Sequence, residues 1–329
     1  MLGLDVSKAT LDYCLVDPTT RQVITQGQVP NTLAGIADLL DMIPAAYPWV
    51  AEPTGVYSQA VVAAAQQAGR TILQADPRQA YAFLRALHPR AKTDRLDSLG
   101  LAHYALAMSV RPFPVKTEVV VQLDQLLAAR KGISTSLATL TQQQRVLPYA
   151  AGPLQAAIAA LRAQRDVLDA QIAALTREPE LAVARALDAI PGVGAVTAAA
   201  VAACLTTRHF VHPDAFVAYI GLDVRVRDSG QRSGVRSLSK RGDAELRRLL
   251  YLCAQANLRS KDPDNPFKVQ YAREVAKGLP TTAALNAVAR KLARTCWSIA
   301  THGTSYRPER VHRQPVASIN ASSVLDNQP

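Results

Sequence analysis

Over its first 107 residues the chain alternates short apolar runs with segments whose apolar residues recur at helical spacing. That alternation limits the architecture more than any other feature. Residues 1–5, 12–16 and 21–29 have the length and composition of strands, as do 49–51 and 71–75. Residues 32–42, 56–68 and 94–107 carry helical spacing, the last through Leu96, Leu99, Leu101, Ala102 and Ala105. The resulting order, β-β-β-α-β-α-β-α, predicts a mixed sheet flanked by helices.

Residues 118–177 follow a different pattern. Leu154, Leu161, Leu168 and Leu175 recur every seven residues, with Ile158 and Ile172 at intervening seam positions and Arg165 as the exception. Leu123, Leu126, Ile133, Leu137 and Leu140 give a looser version, and residues 147–153 hold two prolines and a glycine. This predicts a helical hairpin of coiled-coil character, its seam closing within one chain or against another. From residue 189 the chain is helical again, with a Gly/Arg/Ser-rich interruption at 221–242, and from Ser305 apolar periodicity fades into a tail. The expected fold is therefore α/β plus α, divided into a sheet domain at 1–115, a hairpin at 116–180, a mainly helical domain at 181–304 and a tail at 305–329.

A length of 329 residues exceeds what one ordinary core supports. With 49% apolar and 19% charged residues the chain buries a core and is not globally disordered, and aromatics at 5% favour helices packed through small residues. No apolar run approaches the ~18–20 residues of a membrane span. The N-terminus lacks a basic stretch followed by an apolar one, so no secretory signal is expected. The four cysteines lie at least 43 positions apart without a CxxC pair, which points to reduced thiols and a cytoplasmic location. The net charge of +11 is uneven: residues 1–100 carry 8 Lys/Arg against 9 Asp/Glu, and the remainder 29 against 17. A near-neutral domain followed by a basic one implies a polyanionic partner, with nucleic acid first.

Three constellations carry possible chemistry. Asp5 and Glu52 end strands, while Asp94 and Asp97 are spaced i, i+3 on one helix face. Four such carboxylates suit a pair of Mg²⁺ (or Mn²⁺) ions roughly 4 Å apart, or else serve as turn and cap residues. Between Arg225 and Arg248 lie eight cations (Arg225, Arg227, Arg232, Arg236, Lys240, Arg241, Arg247, Arg248) against three acids. Gly230, Gly234 and Gly242 free the backbone there, and Ser229, Ser233, Ser237 and Ser239 supply hydroxyls. The stretch reads as a phosphate-binding segment containing a possible nucleophile, or as a solvated basic loop. Finally, Ile190-Pro191-Gly192-Val193-Gly194 before an Ala-rich helix has the form of a helix–hairpin–helix, in which the backbone at Gly192 and Gly194 meets a phosphate.

The segments GLDVSKATLD (3–12), AEPTGVY (51–57), KTDRLDS (92–98), IPGVG (190–194), AYIGL (218–222), SG (229–230) and SKRGDAELRRLLY (239–251) run in one order across most of the chain. Together they resemble the insertion-sequence-110 family of transposases, which includes the pilin-gene invertases. Asp223 departs from the pattern, since proline often follows that Gly-Leu. The resemblance implies a ribonuclease-H-like, RuvC-type N-terminal domain whose acidic tetrad is Asp5, Glu52, Asp94 and Asp97. It also implies a coiled-coil insertion and a C-terminal transposase domain with Ser229 as nucleophile. The implied activity is metal-dependent, site-specific DNA strand exchange through a phosphoserine, guided by a noncoding bridge RNA. The implied partners are DNA, that RNA and further copies of the chain as a dimer or tetramer; no membrane partner is expected. Alternative readings are a metal-dependent hydrolytic nuclease or junction resolvase, and a non-catalytic nucleic-acid-binding protein. The first segment also resembles the phosphate hairpin of sugar-kinase-like ATPases, but no later Gly-rich nucleotide segment follows it.

Overall fold

The computed structural model describes residues 1–87, 94–225 and 237–311, without the side chains of residues 87 and 94–96. The chain divides into two compact units, Met1–Val115 and Lys116–Pro329.

In the first unit, β1 (Leu2–Val6), β2 (Thr10–Val16) and β3 (Val23–Pro30) form an antiparallel meander. α1 (Leu33–Met42) leads to β4 (Trp49–Ala51), and α2 (Val56–Gln67) to β5 (Ile72–Gln74). Both β4 and β5 add in parallel beyond β1, giving the order β3-β2-β1-β4-β5-β6 once the two-residue β6 (Arg111–Pro112) pairs antiparallel with β5. Strand alternation divides the core. Leu2, Leu4 and Val6 point to one face, which α1 and α2 cover with Ile36, Leu39, Val61 and Ala65. Met1, Cys14, Val16 and Val50 point to the other, packed with Ala80, Leu101, Ala102 and Tyr104 from α3 (Pro77–Leu87) and α4 (Asp94–Ala107).

Gly3 sets how closely α4 approaches. A Cβ there would lie 1.9 Å from the Ser98 carbonyl oxygen and 2.7 Å from the Ala102 nitrogen, so any side chain would force α4 off the sheet. The sequence reading omitted α3 and β6. Asp76 accepts from the backbone N–H groups of Arg78 and Gln79, both at 2.9 Å, and Pro77 opens the helix, so a start signal for α3 was present. A two-residue edge strand has no periodicity to detect.

In the second unit, α5 (Glu118–Val146) and α6 (Ala151–Leu175) form an antiparallel hairpin. An Arg130–Asp169 ion pair and a 2.9 Å hydrogen bond from the Gln144 amide to Gln155 Oε1 join them. The break between them is shorter than predicted, because Gly152 and Pro153 lie within α6. Proline is tolerated in a first turn, where its missing N–H would have no intrahelical partner anyway. Ile158 and Ile172 are buried, whereas Leu154, Leu161, Leu168 and Leu175 are only half-buried. α7 (Ala182–Asp188), α8 (Ala195–Thr207), α9 (Pro213–Tyr219), α10 (Ala244–Leu258), α11 (Pro266–Ala276) and α12 (Thr281–His302) build the main core. Small side chains let α8 sit at its centre, buried continuously from Thr197 to Ala203. The ordered core reaches past the position where the tail was expected: α13 (Pro308–Val311) buries Val311, and Tyr306 stacks on Phe267 at 6.4 Å.

All four cysteines are free, and burial pushes the Cys14 thiol up to about 11 and that of Cys204 up to about 12. Among the described residues, no helix is long and apolar enough to cross a membrane.

Candidate active site and nucleic-acid interface

The sheet register places the acidic residues. On β1, Gly3 and Asp5 share the face that α4 covers. β1 and β4 run parallel with Gly3 beside Val50 and Leu4 beside Ala51, so the next step sets Glu52 beside Asp5 on that face. The direction of α4 follows from its far end, where Arg21, near the start of β3, donates to the Leu106 carbonyl. The N-terminal turn of α4 therefore lies at the Asp5 end of the sheet, with Asp94 its first residue and Asp97 next to the Ser98 that touches Gly3. Asp5, Glu52 and Asp97 thus occupy one end of one sheet face. Each has a polar or electrostatic partner. The carboxyl of Asp94 lies outside the described residues.

Sequence reasoning missed a further acid on this face. Asp12 stands directly opposite Asp5 across the β1–β2 pair and is buried, with 6% exposure. Both its oxygens accept from the Gln28 amide at 3.0 Å. The strand expected at 12–16 already put Asp12 in phase with buried Cys14. Thr54, two residues after Glu52, also went unremarked; its hydroxyl is buried without a hydrogen-bond partner. The field of the acids extends along α4. Burial, followed by the carboxylates of Asp76 and Glu52, pushes the Tyr104 phenol up, against a backbone hydrogen bond at Asp76 that lowers it.

Directly opposed carboxylates disfavour one another, and a row of them is best relieved by a cation. Its donors are all carboxylate oxygens, which suits a hard divalent ion. Among the described residues, no three Asp, Glu, His or Cys side chains converge tightly enough to share one ion.

The basic segment divides into three groups. Arg227, Ser229, Arg232 and Arg236 lie outside the described residues. Arg247 and Arg248 are committed to the fold: Arg247 donates to the Ile220 carbonyl at 2.9 Å, and Arg248 pairs with Glu245 at 2.5 Å. Burial alone would raise Glu245, but Arg248 and Lys131 outweigh it and hold the carboxyl below its usual range. Arg225 is half-buried on β7 (Val224–Arg225), which pairs antiparallel with β8 (Ser237–Leu238), while Lys240 and Arg241 are exposed just beyond β8. Among the serines, Ser239 is engaged, since its hydroxyl donates to Asp223. The residue that departs from the family pattern is thus part of the turn. Gly242 is required there, because a Cβ would come within 1.8 Å of the Tyr219 carbonyl oxygen.

In the third constellation, Gly192 has φ +76 and faces α10 closely enough that a Cβ would lie 2.3 Å from the Asn257 amide nitrogen. That amide donates to the Pro191 carbonyl at 2.8 Å, so Gly192 serves the turn itself. Gly194, which caps α8, has open space around it and leaves room for a ligand.

Two family models match the chain. One, a DEDD transposase model of the IS110 type, covers residues 2–147, and the other, described as the transposase IS116/IS110/IS902 family, covers 184–270. The chain belongs to the IS110 family of transposases. The first of these matches contains Asp5, Asp12, Glu52, Asp94 and Asp97, and the second contains the Pro-Gly turn and the basic segment.

This IS110-family chain is 30% identical over 190 residues to a probable family 20 transposase of Pseudomonas aeruginosa, covering 56% of each. It is 29% identical over 176 residues to the transposase for insertion sequence element IS1328 of Yersinia enterocolitica, covering 52% of each. With the transposase for insertion sequence element IS1111A of Coxiella burnetii it shares 33% over 122 residues, 37% of this chain and 34% of that one. The matched stretch spans about half the length of the first two relatives.

Proposed function

We propose that this IS110-family transposase cuts and rejoins DNA, using the acids of the first unit together with Ser229 of the second. The observation that carries this reading is the placement of Asp5 on β1 and of Glu52 directly after its parallel neighbour β4, with the Asp94–Asp97 turn of α4 held to the same strand end by Gly3. The β3-β2-β1-β4-β5 order supports a ribonuclease-H-like, RuvC-type domain. Asp5, Glu52, Asp94 and Asp97 would hold the metal, Mg²⁺ or Mn²⁺. Bound there, such ions would supply Lewis-acid stabilisation of charge on the departing oxygen.

The Ser229 oxygen attacks a backbone phosphorus, forming a serine–phosphate ester as the bond to one sugar oxygen breaks. The seryl proton ends on that departing oxygen. Because one phosphate ester replaces another, rejoining needs no external energy source. Arginines of the basic segment, Arg227 and Arg232 nearest in sequence, stabilise the charged transition state. Arg225, Arg236, Lys240, Arg241 and the Gly194 turn bind the nucleic acid, a bridge RNA selects the site, and the protein works in the cytoplasm at the nucleoid. The four-part division at 115, 180 and 304 separates these tasks. The half-buried leucine row of α6 supports assembly into a dimer or tetramer, which brings acids and serine together.

Asp97→Asn tests the acidic site. Strand exchange should fall to background while oligonucleotide affinity and the melting temperature are retained, and heat-detected Mn²⁺ binding should weaken. Full activity in this variant, or in EDTA, overturns the assignment.

A further inference from the structure

The second unit carries a further cluster of cations, of which the basic segment supplies only Lys240. A cavity of about 1080 Å³ opens between the β7–β8 pair and the outer face of α12, lined by Lys240, Arg290, Lys291 and Arg294. Arg290 and Arg294 are one turn apart, about 6 Å along the helix, a spacing comparable with the step between successive phosphates of a strand. Arg290 is the informative member. Its Nε is buried and has no hydrogen-bond partner. Burial and the neighbouring charge of Arg294 lower its pKa, against Glu274, Asp214 and Asp223, which act in the other direction. Lys291 is lowered by the same two causes. The surrounding acids have partners of their own, one of them within the cluster, and Glu274 also lines the cavity. Asp214 pairs with Arg294 at 2.5 Å, and Glu274 with Lys277 at 3.1 Å and the Gln270 amide at 2.7 Å.

Arg290, Lys291 and Arg294 crowd one helix with Asp214 as the one acid paired to them among the described residues, a cost that an incoming anion reduces. Arginine forks match phosphate oxygens geometrically. The cavity is open and matches the largest of the usual small-molecule pockets, roughly 300–1,000 Å³, which leaves room for a strand to lie along it. We propose that this groove binds a phosphodiester backbone, with Arg290 contacting one phosphate and Arg294, Lys291 and Lys240 its neighbours. The inference rests on the nucleic-acid-acting reading above and extends it to a site away from the acids.

The test uses the full chain and three fluorescein-labelled 20-mers: duplex DNA, single-stranded DNA and single-stranded RNA. Affinity is followed by anisotropy over a KCl series. Two variants are compared with the parent, Arg290→Leu and the surface double variant Lys291→Gln/Arg294→Gln. Each lost phosphate contact should flatten the log–log salt slope by about 0.7–0.9. Arg290→Leu should therefore lose about one such step and the double variant about two, and the probe that responds names the strand bound. Arg290→Leu should also melt at or above the parent temperature, because a half-buried cation with an unmet Nε has gone. An unchanged slope in the double variant on all three probes overturns the groove, and the family reading survives provided the parent still binds. A lowered melting temperature in Arg290→Leu with an unchanged slope shows a structural arginine and likewise overturns it. A parent that binds none of the probes overturns both this inference and the nucleic-acid reading.

Discussion

The acidic face of the first unit and the basic groove of the second concentrate charge by opposite means. Asp5 and Asp12 sit on short side chains opposite one another, fixed by the pleat and register of the sheet, and Glu52 follows directly on the end of β4. Lys240, Arg290, Lys291 and Arg294 reach into their groove on long stems, three of them from one helix. Positions fixed by backbone hydrogen bonds suit reacting atoms, which tolerate little displacement. Flexible cations on a helix suit a polymer whose sequence varies, because they need meet only its phosphates. The contrast predicts that small backbone changes damage the first region most, whereas charge changes damage the second.

Gly3→Ala gives the largest separation. The added Cβ meets the Ser98 carbonyl at 1.9 Å, so α4 must shift and carry the Asp94–Asp97 turn with it. Overpacking of this kind costs about 1–3 kcal/mol. The variant should melt several degrees lower in calorimetry and lose strand exchange, while its nucleic-acid salt slope stays that of the parent. Gly194→Ala, where the Cβ meets nothing within 4 Å, should leave the melting temperature nearly unchanged. Equal effects of the two would remove the basis for treating α4 as seated by Gly3.

Neutralising Arg232, Arg236 and Lys240 together probes the other half of the contrast. Three lost phosphate contacts should flatten the salt dependence by about 2–3 in the log–log slope, with little change in melting temperature. An unchanged slope would place the nucleic acid elsewhere. A subtler effect is expected at the hairpin. Glu at both Leu161 and Leu168 should give smaller species in light scattering if α6 joins copies of the chain. Unchanged mass with a lower melting temperature would mean that the seam closes within one chain.

The same contrast explains what was legible in the sequence. The central strands and α1, α2 and α4 could be read because apolar alternation in residues 1–107 records which face each residue meets. The pairing of Asp5 with Glu52 could not, since register is a long-range property; strand-end position and helical spacing suggested the four acids as a group, and the family resemblance made them a tetrad. Asp12 was missed because an acid at the start of a strand also reads as a turn residue. In the basic segment composition overcounted: Arg247 and Arg248 carry the same charge as Lys240 yet hold a carbonyl and a carboxylate of their own unit. The α12 cations were overlooked for the opposite reason. Spread over an amphipathic helix, Arg290, Lys291 and Arg294 read as a solvated face, and only the burial of one nitrogen marks them out.

The central claim, that the acids of one unit act with a serine of the other, is tested most directly by the covalent intermediate. A stalled reaction in Mg²⁺ should contain DNA joined to protein through Ser229, resistant to boiling in detergent and mapped to that residue by mass spectrometry. The adduct should be absent in EDTA, in Asp5→Asn and in Ser229→Ala, although all three samples still bind nucleic acid. Cleavage without any adduct, with Ser229→Ala cutting as well as the parent, would contradict the account and identify water as the nucleophile.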